Sequence, residues 1–238
     1  MKFELSLCVF VCAILIFAQA WAQFGTDTVK TAKGDLKITF LGHASLLFEC
    51  GGKIIYVDPA SEADYTKLPK ADAVLITHGH GDHFNANNIK AVSKSGTVYL
   101  MNGSTAAQFS GAAAVKSGDK RTESGFPIEA VPAYNIVNSR YHPKGEGIGY
   151  VIDFNGTRVY IAGDTENIPE MKELKNIDIA FLPMNLPYTM TPEMVVDAAK
   201  MFKPKKLYIY HYRGSDTEKL KTLMKDVPGV ELVIRKMY

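Results

Sequence analysis

Residues 71–84 read ADAVLITHGHGDHF, an apolar run followed by three histidines and one aspartate within the six positions from His78 to His83. The apolar run suits a buried strand. Gly79 and Gly81 let the chain turn tightly once it leaves the sheet, which exposes side chains at a strand end, where sites commonly sit. His78 and His80, at alternate positions, project together, and Asp82 and His83 project from the turn toward a neighbouring point. Imidazole and carboxylate suit Zn²⁺ and related divalent ions, and paired metals about 3.5 to 4 Å apart are common in hydrolases. The cluster therefore fits two metal ions.

Working outward, short apolar or alternating runs ended by Gly, Asp or Asn read as strands: LKITFLG, ASLLFECGG, KIIYVDP, then TVYLMNG after a helical NANNIKAVSK. Asn155-Gly156, between YVIDF and TRVYIAG, is a two-residue hairpin signal, because both central turn positions need positive φ. The C-terminal third alternates helix and strand through IPEMKELKN, IDIAFLPMN, TPEMVVDAAKMFK, KKLYIYHY, SDTEKLKTLMKDV and VELVIRKM. Thr191 with Pro192 behind it marks a helix start, and Ser215 or Asp216 would cap the last helix. Residues 102–125 and 136–147 read as loops, and the Met, Pro and Tyr-rich stretch 182–193 as a pocket wall or a core crossing. There is no internal repeat at periods of roughly 20 to 50 residues. A single layered α/β domain over residues 23–238 follows.

Residues 1–22 resemble a secretory signal, with Lys2 near the start, an apolar run from Leu5 to Phe17, and Ala20-Trp21-Ala22 before the cleavage point. The expected location is periplasmic or secreted, with no integral membrane segment after cleavage. Cleavage would remove Cys8 and Cys12 and leave Cys50 alone, so the mature chain could form no internal disulfide. Apolar residues at 47% and charged residues at 22% describe a packed globular protein. The net charge of +2 is spread without a basic stripe, which argues against a nucleic-acid partner.

Further candidate ligands stand at other strand ends: His142 in HPKGEGIGY, Asp164 in AGDTEN, and His211 closing KKLYIYHY. Asn135 rivals His142. The order HxHxDH, a His before a Gly-Tyr hairpin, GDT, then a late strand-end His resembles the metallo-β-lactamase superfamily over nearly the whole chain after the signal. The opening LGHASLLFE with YVDP more closely resembles the branch containing ascorbate-phosphate lactonase and the N-acyl phosphatidylethanolamine phospholipase D type enzymes. The resemblance implies a four-layer αββα sandwich. It places His78, His80 and His142 on a first metal, Asp82, His83 and His211 on a second, and Asp164 as a bridge. The spacing from His142 to the Gly-Tyr pair is about a residue longer than the superfamily's usual pattern. The bridging aspartate turns the expectation away from true β-lactamases.

The expected chemistry is hydrolysis of an ester, lactone or phosphodiester of a small, anionic substrate by hydroxide held between two divalent ions, zinc first, with manganese or iron as alternatives. Asp82 would also orient the nucleophile. The resemblance implies that His43 in LGHAS donates to substrate or oxyanion, with a structural His as the alternative, and that Asp58 braces the ligand loop through backbone N–H groups, with a plain turn Asp before Pro59 as the alternative. Arg140, Lys144, Tyr188 and Arg213, with Tyr134 and Tyr141, surround the expected mouth, where cations suit a phosphate or carboxylate. A mononuclear iron oxygenase on the same fold and a metal-binding protein without turnover are the alternatives.

Overall fold

Alternation of apolar side chains decides how the chain layers. The computed structural model describes residues 24–237; the expected signal segment, residues 1–22, lies outside the described residues. The first seven strands are β1 (Gly25–Thr31), β2 (Gly34–Gly42), β3 (Ser45–Cys50), β4 (Lys53–Val57), β5 (Ala73–Ile76), β6 (Val98–Met101) and β7 (Ala113–Ala114), hydrogen-bonded in that order. In β3, Leu46 and Phe48 enter the central core while Leu47 faces the other way. Strand β4 divides Ile55 and Val57 from Tyr56, and β5 divides Ala73 and Leu75 from Val74 and Ile76, in the same manner. A sheet that is apolar on both faces must be covered twice. Helix α1 (Ala86–Val92) buries Ile89 and Val92 against the outer face, and a second sheet covers the inner one.

That second sheet joins β8 (Lys120–Glu123), β9 (Phe126–Ala133), β10 (Gly147–Phe154), β11 (Thr157–Ile161), β12 (Ile179–Pro183), β13 (Lys206–Tyr210) and β14 (Glu231–Ile234), again in chain order. Both sheets have one plan. The first four strands of each run antiparallel, and the last three are added parallel to the fourth. Phe48 and Phe181 meet edge to face between the sheets, with ring centroids 6.0 Å apart. Among the described residues the other α-helices are the four-residue α2 (Gly103–Ala106), α3 (Pro192–Phe202), which buries Val195, Ala198 and Ala199, and α4 (Thr217–Leu223), which buries Leu220. The result is the αββα sandwich expected from the sequence. No helix among the described residues is long and apolar enough to cross a membrane.

The local signals hold. Asn155 (φ 53°) and Gly156 (φ 92°) turn β10 into β11 beyond the Phe154–Thr157 pair. Thr191 Oγ1 accepts the Met194 N–H at 3.1 Å, and Asp216, rather than Ser215, caps α4 by accepting the Lys219 N–H at 2.9 Å. Three segments differ from expectation. The helix expected over IPEMKELKN is only a 3₁₀ turn at Pro169–Glu173. The stretch read as a loop from 102 to 125 contains α2, β7 and β8. Strand β1 had no apolar signal because GTDTVKT lies on a sheet edge, half in solvent.

Candidate metal centre

The chain leaves several strands toward one edge of the sandwich, and the chemistry-bearing residues sit just beyond those ends. His78 to His83 follow β5, Asp58 follows β4, Asp164 follows β11, and His211 follows β13. His43 occupies the turn between β2 and β3, after a register shift between Phe40 and Gly42 that re-aims the strand. His43, Asp58 and His211 are all in the left-handed region, at φ 52°, 46° and 47°. Each such residue costs on the order of 1–2 kcal/mol, so the surroundings must hold it. The His211 N–H donates to the His43 carbonyl at 3.0 Å, the His43 N–H to Met237, and the Asp58 N–H to Leu75 at 3.0 Å. Gly163, at φ 68°, has no room for a side chain, since a Cβ there would lie 2.9 Å from the Ile148 carbonyl oxygen and 3.0 Å from Thr77 Cβ. This close passage brings Asp164 up against the histidines.

Among the described residues three groups of ligand atoms result: His78, His80 and His142; His43, Asp82, His83 and His211; and His78, His83 and Asp164, with ligand atoms in each group within 4.8 Å of one another. The third group links the first two. Asp164 Oδ2 is 3.3 Å from His142 Nε2 and 3.2 Å from His211 Nε2, and its Oδ1 is 3.3 Å from His83 Nε2. These three nitrogens and His78 Nε2 are buried without a hydrogen-bond partner. Buried polar atoms are normally paired. Imidazole nitrogens gathered around the oxygens of one carboxylate are a donor set that fits divalent metal ions once any protons they carry are displaced.

A surrounding layer fixes which nitrogen faces inward. Asp58 accepts the Thr77 N–H at 2.8 Å, the Thr77 hydroxyl at 2.7 Å and His83 Nδ1–H at 2.8 Å, leaving His83 Nε2 free for the cluster. His142 Nδ1 lies 3.0 Å from the Tyr188 carbonyl, which fixes its ring in the same way. Asn135 is not the inward-facing group: its Nδ2 donates to that same carbonyl at 2.6 Å, so it supports the loop that holds His142. Thr77 and Glu166 were missed from the sequence. The Glu166 carboxylate accepts the backbone N–H groups of Ile136 (2.7 Å), Val137 (2.6 Å) and Asn138 (3.1 Å), and only its place directly after GDT signalled it.

The electrostatics divide the cluster. Burial, with His83 nearby, pushes His78 well below the usual imidazole range, and burial with His142 lowers His80, so both are neutral. Burial also opposes the charge on His83 and His211, but it is outweighed. Asp164 and Asp58 raise His83 well above its usual value, and Asp164 with Asp82 pushes His211 up to about 9. Burial favours the neutral acid at Asp82, yet His211 and the 2.9 Å contact from His43 Nε2 hold its carboxyl far below the usual range. Asp164, equally against burial, is held low by His211 and His83.

Outside the cluster, an open cleft of about 870 Å³ includes His43, Asp82, Arg213, Lys236 and Met237 in its wall. Arg213 lines this cleft. Lys144 does not: it pairs with Glu170 at 2.8 Å and lines a different cleft. Arg140 donates to the Tyr141 hydroxyl at 2.7 Å and stacks on that ring. Tyr134 hydrogen-bonds Glu170 at 2.8 Å.

Two packed mixed sheets with a histidine and aspartate cluster at their strand ends define a metallo-β-lactamase fold protein. Residues 37–211 match the Beta-lactamase superfamily domain. A UPF0173 metal-dependent hydrolase of Thermococcus onnurineus is 32% identical over 222 residues, spanning 84% of this chain and 96% of that protein. A crystal structure from Parabacteroides distasonis, whose description as a metal-dependent hydrolase is itself an inference, is 48% identical with a TM-score of 0.87, covering 90% of this chain and all of that one. The metallo hydrolase Igni18 of Ignicoccus hospitalis is 25% identical with a TM-score of 0.71, over 85% of this chain and 95% of that one. The chain belongs to the β-lactamase superfamily, among its UPF0173 metal-dependent hydrolases.

Proposed function

We propose that the protein is a dinuclear metal-dependent hydrolase that cleaves an ester, lactone or phosphodiester bond in a small anionic substrate. His78, His80 and His142 would hold one ion, Asp82, His83 and His211 the other, and Asp164 would bridge them. Zinc is the first choice for this donor set. The observation that carries the reading is the approach of three unpartnered imidazole nitrogens to the two oxygens of Asp164, at 3.2 to 3.3 Å.

When bound, the ions would supply Lewis acidity and bring the pKa of a water to about 7. The remaining work belongs to the side chains. Asp82 is half exposed to the cleft and firmly ionised, so it accepts a hydrogen bond from the attacking water and orients it rather than storing a proton. His43 Nε2–H holds that carboxylate at 2.9 Å. Arg213 and Lys236, exposed in the same cleft, would hold the anionic group. Removal of the leader would place this chemistry in the periplasm or outside the cell.

The test is metal analysis of the purified protein beside a panel of bis(p-nitrophenyl) phosphate, p-nitrophenyl esters and lactones. Two metal equivalents and turnover of at least one class are expected. Tight metal retention without turnover at any loading would overturn the reading, as would a single iron with oxygen consumption.

A further inference from the structure

Four large apolar side chains are exposed among the described residues: Ile136 at 55%, Val137 at 70%, Leu186 at 54% and Tyr188 at 44%. They fall on two loops, and both loops border the metal cluster. The Tyr188 carbonyl contacts His142 Nδ1 and accepts Asn135 Nδ2, so the residue that orients a candidate ligand also joins the two loops. The Tyr141 and Tyr188 rings meet edge to face at 4.9 Å.

The loops are braced from within. Glu166, almost completely buried, gathers the N–H groups of residues 136–138. Asn185 N–H donates to Thr189 Oγ1 at 2.7 Å, and Met184 and Met190 on either side are fully buried. A buried carboxylate is thus used to present two exposed aliphatic side chains in a fixed position. Of the nearby cations, Lys144 is paired with the Glu170 carboxylate, whereas Arg140 is held on the Tyr141 ring and keeps its charge.

We infer that Ile136, Val137, Leu186 and Tyr188 form a wall against which the substrate lays an apolar group, an alkyl, acyl or aryl portion, beside the bond to be cleaved. This deepens the proposed function and rests on it for the position of that bond. The substrate class becomes a compound with an anionic part for Arg213 and Lys236 and an apolar part for this wall.

The test uses the metal-loaded protein and two series of increasing chain length. kcat/KM is measured on p-nitrophenyl esters from acetate to octanoate, and Kd on n-alkyl carboxylates by calorimetry. Both should improve by up to about fourfold per methylene, the factor equivalent to about 0.8 kcal/mol for a fully buried CH₂. In Ile136→Ser/Val137→Ser and in Leu186→Ser the slope against chain length should flatten. These positions are exposed, so the variants are expected to fold. A flat chain-length profile in the wild type, or an unchanged slope in both variants, overturns the inference. If no ester turns over but the carboxylate slope is present and lost in the variants, the apolar wall stands and ester hydrolysis fails. Turnover without any slope gives the reverse. Loss of vesicle binding or of self-association in the variants, with the slope intact, would assign the patch to a membrane or a second copy and overturn it.

Discussion

Replacing Asp58 with Asn changes one atom of a residue that touches no substrate, and the structure says this should weaken both stability and metal binding. Asp58 is fully buried and accepts from three donors, at 2.7 to 2.8 Å. An amide oxygen can still accept from the Thr77 N–H. Its NH₂ group, however, would face His83 Nδ1–H donor against donor, while the Thr77 hydroxyl can rotate to accept from it. One buried donor left unpaired costs about 1–3 kcal/mol, so a loss of about that size is expected. In a domain of this size that lowers Tm by roughly 2–4 °C per kcal/mol. His83 can escape by giving up its Nδ1 proton and keeping the one on Nε2, but that nitrogen is the one facing Asp164 at 3.3 Å, and its lone pair is then lost to a metal. Loss of such a supporting partner typically costs 10- to 100-fold in metal affinity. Thermal unfolding of the metal-free variant and chelator competition of the loaded one measure the two effects separately. A Tm within about a degree of the parent, with affinity within twofold, would refute the account of how His83 is held.

Asp164→Ala should lower metal occupancy and turnover together, measured by metal analysis and rate on the same sample, and an unchanged rate would refute the bridge. Metal uptake should release protons: His211 has a folded value of about 9 against 6.5 ordinarily. A raised value stabilises the metal-free fold fully below pH 6.5 and loses that contribution as pH rises through 9, while an ion that must displace the proton binds more tightly across the same rise. Calorimetric titration at pH 7.5 in buffers of different ionisation enthalpy should report at least one proton released, and zero would contradict the charged cluster. Gly149→Ala should destabilise by at least about 1–3 kcal/mol through overpacking, because its Cβ would lie 2.7 and 2.8 Å from the Ile161 and Ala162 carbonyl oxygens. Denaturant titration showing parental stability would place slack in that backbone crossing.

The histidine cluster was legible because its spacing is local: one strand end and one turn deliver four residues. His142, Asp164 and His211 were readable as strand-end residues, but what brought them together was resemblance to a family, since no periodicity reports which strand ends share an edge. The choice between His142 and Asn135 was not legible at all. It depends on the Tyr188 carbonyl, 46 residues beyond His142 in the chain, which engages both. Arg213 and Lys144 looked equivalent as loop cations near the expected mouth, and only the packing of Glu170 separates them. Strand β1 was missed for a simpler reason: an edge strand can be polar on both faces and still complete its ladder.

The matching plan of the two sheets bears on how the chain can be cut. Every strand pairing lies within residues 25–114 or within 120–234, and Lys116, Ser117 and Gly118 between them are exposed. A break there severs no ladder. The fragments would keep their own sheets and meet through the apolar interface, with His78, His80, Asp82 and His83 on one piece and His142, Asp164 and His211 on the other. Metal would then act as a fastener between two separately made halves, and their reassembly would depend on its concentration.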